Sequence, residues 1–325
     1  MSDLPPAAPA APAAPAATRI LDRGYRRYEG ERGGVASAMR SVVVSTVQRA
    51  LGVHRAFRFK VMPILTIFIS YVPHLVYVGV VVLTNRLEER TNSIGIGPAG
   101  EPIPRGIVNQ LIKDYPSSYF TITAAIALFA AFVAPEVLCT DRRTGMLGLY
   151  LASPLSRWSY LGAKLIAVSM ILLTVTLGPS LLLLIGYSTQ GYGPVGFTDW
   201  MLTLGRVILA GVGIGLFYTL ISAALASITS RRAAASATFV ILVMGTGALV
   251  QYLVDEARAP VEWGMVNLLL LPIEFAYRVF GQPTQIYYGG FTTMSTPTVY
   301  AAFAGWIVVA LAVIGNRYSR VEVTK

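Results

Sequence analysis

Few residues of this 325-residue sequence have types and spacings that could do chemistry, and most of them lie in one stretch, 135–164. Its charged residues are Glu136, Asp141, Arg142, Arg143, Arg157 and Lys164. A helix-compatible apolar segment, 144–152, lies among them, and Pro154 ends it because a residue before proline is biased out of helical geometry. A short apolar helix between charges favours docking of a soluble partner. Folding back under the chain's own helices is the alternative.

The wider sequence offers no pattern for catalysis. A phosphate-binding loop needs glycines at fixed spacing before its lysine, and Lys164 in YLGAK lacks them. The glycine-rich run 211–215, GVGIG, lies inside an apolar segment, which favours close helix packing over nucleotide binding. With one cysteine, Cys139, and two histidines, His54 and His74, neither a disulfide nor a metal cluster is expected. We therefore expect no catalytic residue, no metal, no cofactor and no enzymatic activity.

The composition is that of a membrane protein. Hydrophobic residues make up 54% of the chain and charged residues 13%, against roughly 25% charged in soluble domains. The formal net charge of +10 would also suit nucleic acid, but the cations flank long apolar runs, as the positive-inside rule requires. We expect the lipid bilayer as a partner and no nucleic acid.

Six apolar segments are long enough to cross about 30 Å of hydrocarbon. They lie near 61–84, 118–139, 159–187, 203–228, 233–254 and 298–315. These segments predict an all-α polytopic membrane bundle of six transmembrane helices, which makes 61–325 the transmembrane domain. We expect the chain to leave the membrane at Glu136 and to place Asp141, Arg142 and Arg143 in water.

Two segments precede the bundle. Residues 1–18 form an Ala/Pro-rich tail that is typical of disorder, because it buries little apolar area. Residues 19–60 are basic, and Val43, Val47, Leu51 and Phe57 fall near one helical face of this segment. That pattern predicts an amphipathic interfacial helix, with a solvated basic tail as the alternative.

A further apolar stretch, 261–283, lies between the fifth and sixth spans and is broken by Pro272. We interpret it as a re-entrant or interfacial hairpin before the last helix, and a seventh span is the alternative. Glu274 and Arg278 are spaced to pair on one helix face. They are candidates for an external gate, while solvation of an interfacial helix is the other interpretation.

The distribution of cations decides the orientation. In a six-span topology, 19 of the 26 Lys and Arg residues lie on the side of the termini and seven on the other. This asymmetry predicts that both termini are cytoplasmic and argues against a seventh span. The long polar connection 85–117 would then be an external loop.

The stretch from Glu136 to Lys164 resembles a motif of the ABC-2 type permeases, the membrane subunits of one class of ABC exporters. In that family an acidic residue precedes a run of the form RxxGxLxxLxxxPxxR, followed by a lysine. The resemblance implies a coupling helix at about 141–157 that contacts a cytoplasmic nucleotide-binding ATPase. The residues to which it assigns this contact are Glu136, Asp141, Arg142, Arg143, Gly145, Leu147, Leu149, Pro154 and Arg157.

The same resemblance implies a second permease subunit, identical or different, and export across the cell membrane. An ion-coupled secondary transporter or channel is the main alternative. It needs ionisable groups along its path, and few lie within the predicted spans. A membrane enzyme or assembly factor would need clustered His, Asp or Glu at one membrane face, which the sequence does not contain.

Overall fold

The computed structural model describes residues 34–53, 56–57, 60–94, 115–146, 155–282 and 290–319. The Ala/Pro tail, the first part of the basic segment and most of the 85–117 connection lie outside the described residues. So do three positions of the predicted coupling loop, Leu147, Leu149 and Pro154.

Six helical segments in the described part of the chain are long and apolar enough to cross a membrane. They are Val61–Leu87, Tyr115–Arg143, Arg157–Thr189, Phe197–Ile228, Arg232–Glu256 and Thr296–Ser319. The shortest has 24 residues, which is about 36 Å at 1.5 Å per residue. The predicted all-α bundle of six spans is therefore confirmed.

The α-helices are numbered here in chain order. They are α1 (Val35–Ala50), α2 (Val61–Ile94), α3 (Tyr115–Arg143), α4 (Arg157–Thr176), α5 (Gly178–Thr189), α6 (Phe197–Ile228), α7 (Arg232–Gln251), α8 (Leu271–Phe280) and α9 (Thr296–Ser319). The third span consists of α4 and α5, which meet at Leu177. Proline lacks the N–H for the helical bond and its ring crowds the preceding turn, so Pro179 starts a new helix there.

Helices α3 and α6 form the centre of the bundle. In their most apolar stretches 78% and 72% of residues are buried, whereas the share is 22% in α2 and α9 and 33% in the fifth span. Buried hydroxyls join the two central helices, because Ser222 donates to the carbonyl of Ala130 (2.7 Å) and Tyr119 to that of Val207 (3.2 Å). The outer helices keep apolar faces exposed.

The glycine-rich run of α6 lies against the junction of α4 and α5. A Cβ on Gly211 would meet the side chain and Cα of Leu177 at 3.1–3.2 Å, so a larger residue there would require Leu177 to shift. Thr176 donates from Oγ1 to the Gly211 carbonyl (2.9 Å) at this contact. The predicted packing role of the run is confirmed, since small residues allow close helix approach in membranes.

Helix α1 lies within the segment for which an amphipathic helix was predicted. Val42 and Thr46 are buried on one face, and Val43 and Val47 pack beside them. Phe57 is exposed and lies beyond the end of the helix, so the prediction that it shares this face is wrong. The predicted position in the membrane interface remains a prediction.

The 261–283 stretch contains a six-residue 3-10 helix, Val261–Val266, and the ten-residue α8. Neither is long enough to cross the hydrocarbon. The break lies at Asn267, whose Oδ1 accepts hydrogen bonds from the N–H groups of Leu269 and Leu270. The prediction that the stretch is broken at Pro272 is wrong. Pro272 lies in the first turn of α8, where its missing N–H costs nothing. Re-entry into the membrane remains a prediction.

Candidate functional site

Asp141 lies at the centre of a buried charge cluster. Its Oδ2 is 2.7 Å from Lys164 Nζ and its Oδ1 is 2.7 Å from Arg49 Nη2, while Tyr160 donates its hydroxyl to Oδ2 at 2.8 Å. Asp141 and Lys164 have fully buried side chains. The expectation that Asp141 lies in water is therefore wrong, because α3 continues for two turns beyond Glu136 and carries the carboxylate into the bundle.

The cluster joins three helices that are distant in sequence. Arg49 and Thr46 belong to α1, Asp141 to α3, and Tyr160 and Lys164 to α4. Lys164 also donates to Thr46 Oγ1 at 2.9 Å. A buried charge is costly unless it is paired and hydrogen-bonded, and here each ionised group has such partners. The three helices are thereby held in one relative position.

Arg142 contacts the bundle and is only partly exposed. Its guanidinium donates to the carbonyl of Ser227, in the last turn of α6, and lies 5.4 Å from the ring centroid of Tyr318 on α9. Arg317 donates to the next carbonyl, that of Ile228 (3.1 Å). A helix C-terminus has carbonyls without intrahelical partners and a negative dipole end. Arg142 therefore caps α6, a contact that the docking prediction did not include.

Arg143, Gly145 and Arg157 are exposed next to the undescribed part of the loop. Gly145 has a φ of +69°, the left-handed conformation that commonly ends a helix and that L-residues with a Cβ disfavour. Gly145 thus ends α3 and sets the direction in which the loop leaves it. Docking of an ATPase on these residues remains a prediction.

The other end of the loop is also anchored. Ser156 caps α4, because its Oγ accepts from the N–H of Ser159 at 3.1 Å. Leu155 is buried against Val42 of α1 and Ala163 of α4. The loop 144–156 thus starts beside the Asp141 cluster, and its other end packs against α1 and α4, two of the three helices that the cluster joins.

Glu136 lies on α3 and not in the loop. It pairs with Arg232, the first residue of α7, and lines a cavity of about 110 Å³ together with Arg49. The helix continues past Glu136 to Arg143, and the expectation that the chain leaves the membrane at Glu136 remains a prediction.

Glu274 and Arg278 form the predicted ion pair on α8, with 2.6 Å between Oε1 and Nε. Arg278 also donates to the carbonyls of Phe291 and Met294 (3.0 and 3.1 Å) and to Thr296 Oγ1 (3.3 Å). Because Glu274 is fully buried, the alternative of a solvated interfacial helix is wrong. The pair connects α8 to the segment that enters α9, and its role as a gate remains a prediction.

Sequence reasoning did not identify Arg49, Thr46 and Tyr160 as members of the site. The signal that it contained was Lys164, an ionisable residue inside a predicted span, because such residues usually have a buried partner. The partners themselves are up to 118 positions away in sequence.

A family model described as ABC-2 family transporter protein matches residues 16–323, nearly the whole chain. In a comparison with curated proteins, no sequence matches this chain.

Proposed function

Because the chain belongs to the ABC-2 transporter family, we propose that it is the permease subunit of an ATP-driven exporter and that the loop 144–156 receives the driving force. ATP hydrolysis is assigned to a separate cytoplasmic nucleotide-binding subunit. The observation that supports this role is the attachment of both ends of the loop to the Asp141 cluster and its neighbours.

The attachment gives the loop a mechanical connection to the bundle. Displacement of the loop acts on Asp141 at the end of α3 and on Leu155 at the start of α4. Both contact α1, so the three helices move together as one body. A docked ATPase that changes shape on nucleotide binding can therefore shift the bundle between two states, provided that it binds them with different affinity.

The proposed docking surface consists of Arg143, Gly145, Arg157 and the undescribed residues between them. Its exposed charges are guanidinium groups, which form paired hydrogen bonds with carboxylates. We infer that the ATPase offers an acidic patch that binds the two arginines. An apolar groove beside this patch would bind the predicted coupling helix. Charge complementarity of this kind sets register and partner choice more than affinity.

A second permease subunit would cover the apolar faces of the outer helices. Exposed side chains on α2 and α7 include Phe68, Leu75, Ile241 and Leu249. Both lipid and a second copy can cover such faces, and a pathway between two copies would be lined by these helices. With both termini cytoplasmic, the loop 144–156 and the Asp141 cluster face the cytoplasm, where ATP is available.

The test is co-purification and transport with the double variant Arg143→Glu/Arg157→Glu. We expect this protein to fold normally but to lose its ATPase subunit, identified by mass spectrometry, and ATP-dependent transport in vesicles. Arg258→Glu is the matched control, because Arg258 is also exposed and lies between the fifth span and the 3-10 helix.

Unchanged ATPase recovery in the double variant would contradict docking at this loop. Transport that follows an ion gradient and continues without ATP would support the secondary-transporter alternative instead. Both measurements use the full chain in its native complex.

A further inference from the structure

The cavity beside Glu136 has a polar end and an apolar end. Arg49 is near the end of α1, Arg232 starts α7, and Glu136 is two turns from the end of α3. Phe132 and Phe129 lie one and two turns deeper on the same face of α3 and line the same cavity. At 1.5 Å per residue, Phe129 is about 10 Å farther from the helix end than Glu136. Charge therefore lies near the helix ends and aromatic surface lies deeper along α3.

The charges at the polar end favour an anion. Two cations, Arg49 and Arg232, line this end together with one carboxylate, Glu136. The carboxylate partner of Arg49, Asp141, is fully buried and also paired with Lys164. The Arg232 side chain is 48% exposed and that of Arg49 is 25% exposed. Each guanidinium has five N–H donors in a planar fork, so each has donors left for a further oxygen anion, and at Arg232 that anion competes with Glu136.

The surface next to the cavity suits acyl chains. Met62 lines the cavity at the start of α2, and it is followed by the exposed apolar residues Ile64 and Leu65. The cavity volume of about 110 Å³ exceeds the roughly 10–15 Å³ that one water molecule needs on the same measure, so there is room for a phosphate-sized group. Acyl chains would lie outside the cavity along α2.

We propose that this cavity binds the headgroup phosphate of an anionic glycerophospholipid from the cytoplasmic leaflet. The phosphate bridges Arg49 and Arg232, and the chains lie against Met62 and the exposed face of α2. Basic pockets between transmembrane helices on the cytoplasmic side recognise such headgroups, and arginine binds phosphate through paired hydrogen bonds. The orientation in the proposed function places this end of the bundle at the cytoplasmic leaflet.

One phosphate in this position would connect α7 to the group formed by α1, α3 and α4. Arg49 is part of the Asp141 cluster, whereas Arg232 is the first residue of α7. The bound lipid thus stabilises the contact between the fifth span and the helices on either side of the loop, α3 and α4. Glu136 competes with the phosphate for Arg232.

The test measures lipid retention by the full-length protein in lipid nanodiscs. The discs contain phosphatidylcholine alone or with phosphatidylglycerol, and native mass spectrometry after release reports the lipids that stay bound. We expect the wild type to retain phosphatidylglycerol in preference to phosphatidylcholine, because the choline cation is repelled by the arginines. The melting temperature should rise when phosphatidylglycerol is present.

Three single variants separate the cavity from general surface charge. Arg232→Gln should lower phosphatidylglycerol retention about tenfold, the scale of one lost charge-assisted hydrogen bond. Glu136→Gln should increase retention, because the competing carboxylate is neutralised. Arg231→Gln is the matched control, since Arg231 is the adjacent exposed arginine and does not line the cavity, and it should behave as the wild type.

Equal retention of the two lipids would overturn the proposal, as would equal losses in Arg232→Gln and Arg231→Gln. Full displacement of phosphatidylglycerol by inorganic phosphate would also overturn it, because the site would then bind a free anion. The assay contains no ATP and no ATPase, so its outcome is independent of the proposed coupling.

Discussion

Asp141 and Lys164 form an ion pair of 2.7 Å between two fully buried side chains, and the loop 144–156 connects the helices that carry them. The pair therefore closes the base of the loop. Arg49 and Thr46 add α1 to the same point. A displacement of the loop therefore acts first on the contacts among α1, α3 and α4, and only through them on the rest of the bundle.

Asp141→Asn is expected to destabilise the protein strongly. The substitution leaves Lys164 and Arg49 without their carboxylate, and breaking a buried ion pair costs about 3–5 kcal/mol. The melting temperature in detergent measures the effect. Asp199→Asn is the control, since Asp199 is an exposed acidic residue in the first turn of α6 and should change stability little. Equal melting temperatures for the two variants would contradict the structural role of the cluster.

Arg142→Gln is expected to lower stability, whereas Arg143→Gln is not. Arg142 caps α6 and contacts Tyr318, while its neighbour is exposed. A lost hydrogen bond to a charged group costs about 1.5–3 kcal/mol. Thermal unfolding of the two variants side by side provides the measurement. If Arg143→Gln were the more destabilised of the two, the assignment of Arg142 as the cap would be wrong.

Gly145→Ala is expected to weaken the coupling of ATP hydrolysis to transport, because it changes the direction in which the loop leaves α3. The left-handed backbone at φ +69° costs about 1–2 kcal/mol for a residue with a Cβ. Gly162→Ala is the matched control, because a Cβ there meets nothing within 4 Å and α4 gains helix propensity. We expect ATP-driven transport to fall in the first variant and to stay at the wild-type level in the second. A normal transport rate in Gly145→Ala would show that the loop tolerates another exit direction.

Arg278→Lys is expected to loosen the contact between α8 and the start of α9. Lysine retains the charge but lacks the planar fork with which Arg278 reaches Glu274 and two backbone carbonyls at once. Hydrogen exchange of the backbone at 290–296 should become faster. Exposed Arg206→Lys on α6 is the control. Unchanged hydrogen exchange at 290–296 would show that the contact between α8 and the start of α9 does not depend on the planar guanidinium of Arg278.

The bundle was predictable from sequence because its signal is local. Each span is a continuous apolar run, and the run GVGIG is the pattern of close helix packing that Gly211 shows. The break in the third span was less visible, since the apolar run continues through Leu177 and the proline that starts α5 acts only on the backbone.

The site was predictable only in part because its contacts are not local. Asp141 was expected in water, since three consecutive charged residues at a helix end are usually solvated. Its burial follows from Arg49 and Lys164, which are 92 positions before it and 23 after it. A single sequence contains the charges but not their pairing. For the same reason, Arg142 and Arg143 look equivalent in sequence although one contacts Ser227 and the other is exposed.

The Asp141 cluster also has a consequence for biosynthesis. Its members are made in the order Arg49, Asp141, Lys164, so Asp141 and Lys164 each find an earlier residue of opposite charge. When α3 leaves the ribosome, Asp141 can pair at once with the arginine of α1. Lys164 then joins an existing carboxylate when α4 follows. The α3 and α4 helices can therefore join α1 one after another, each with a partner for its charge already present.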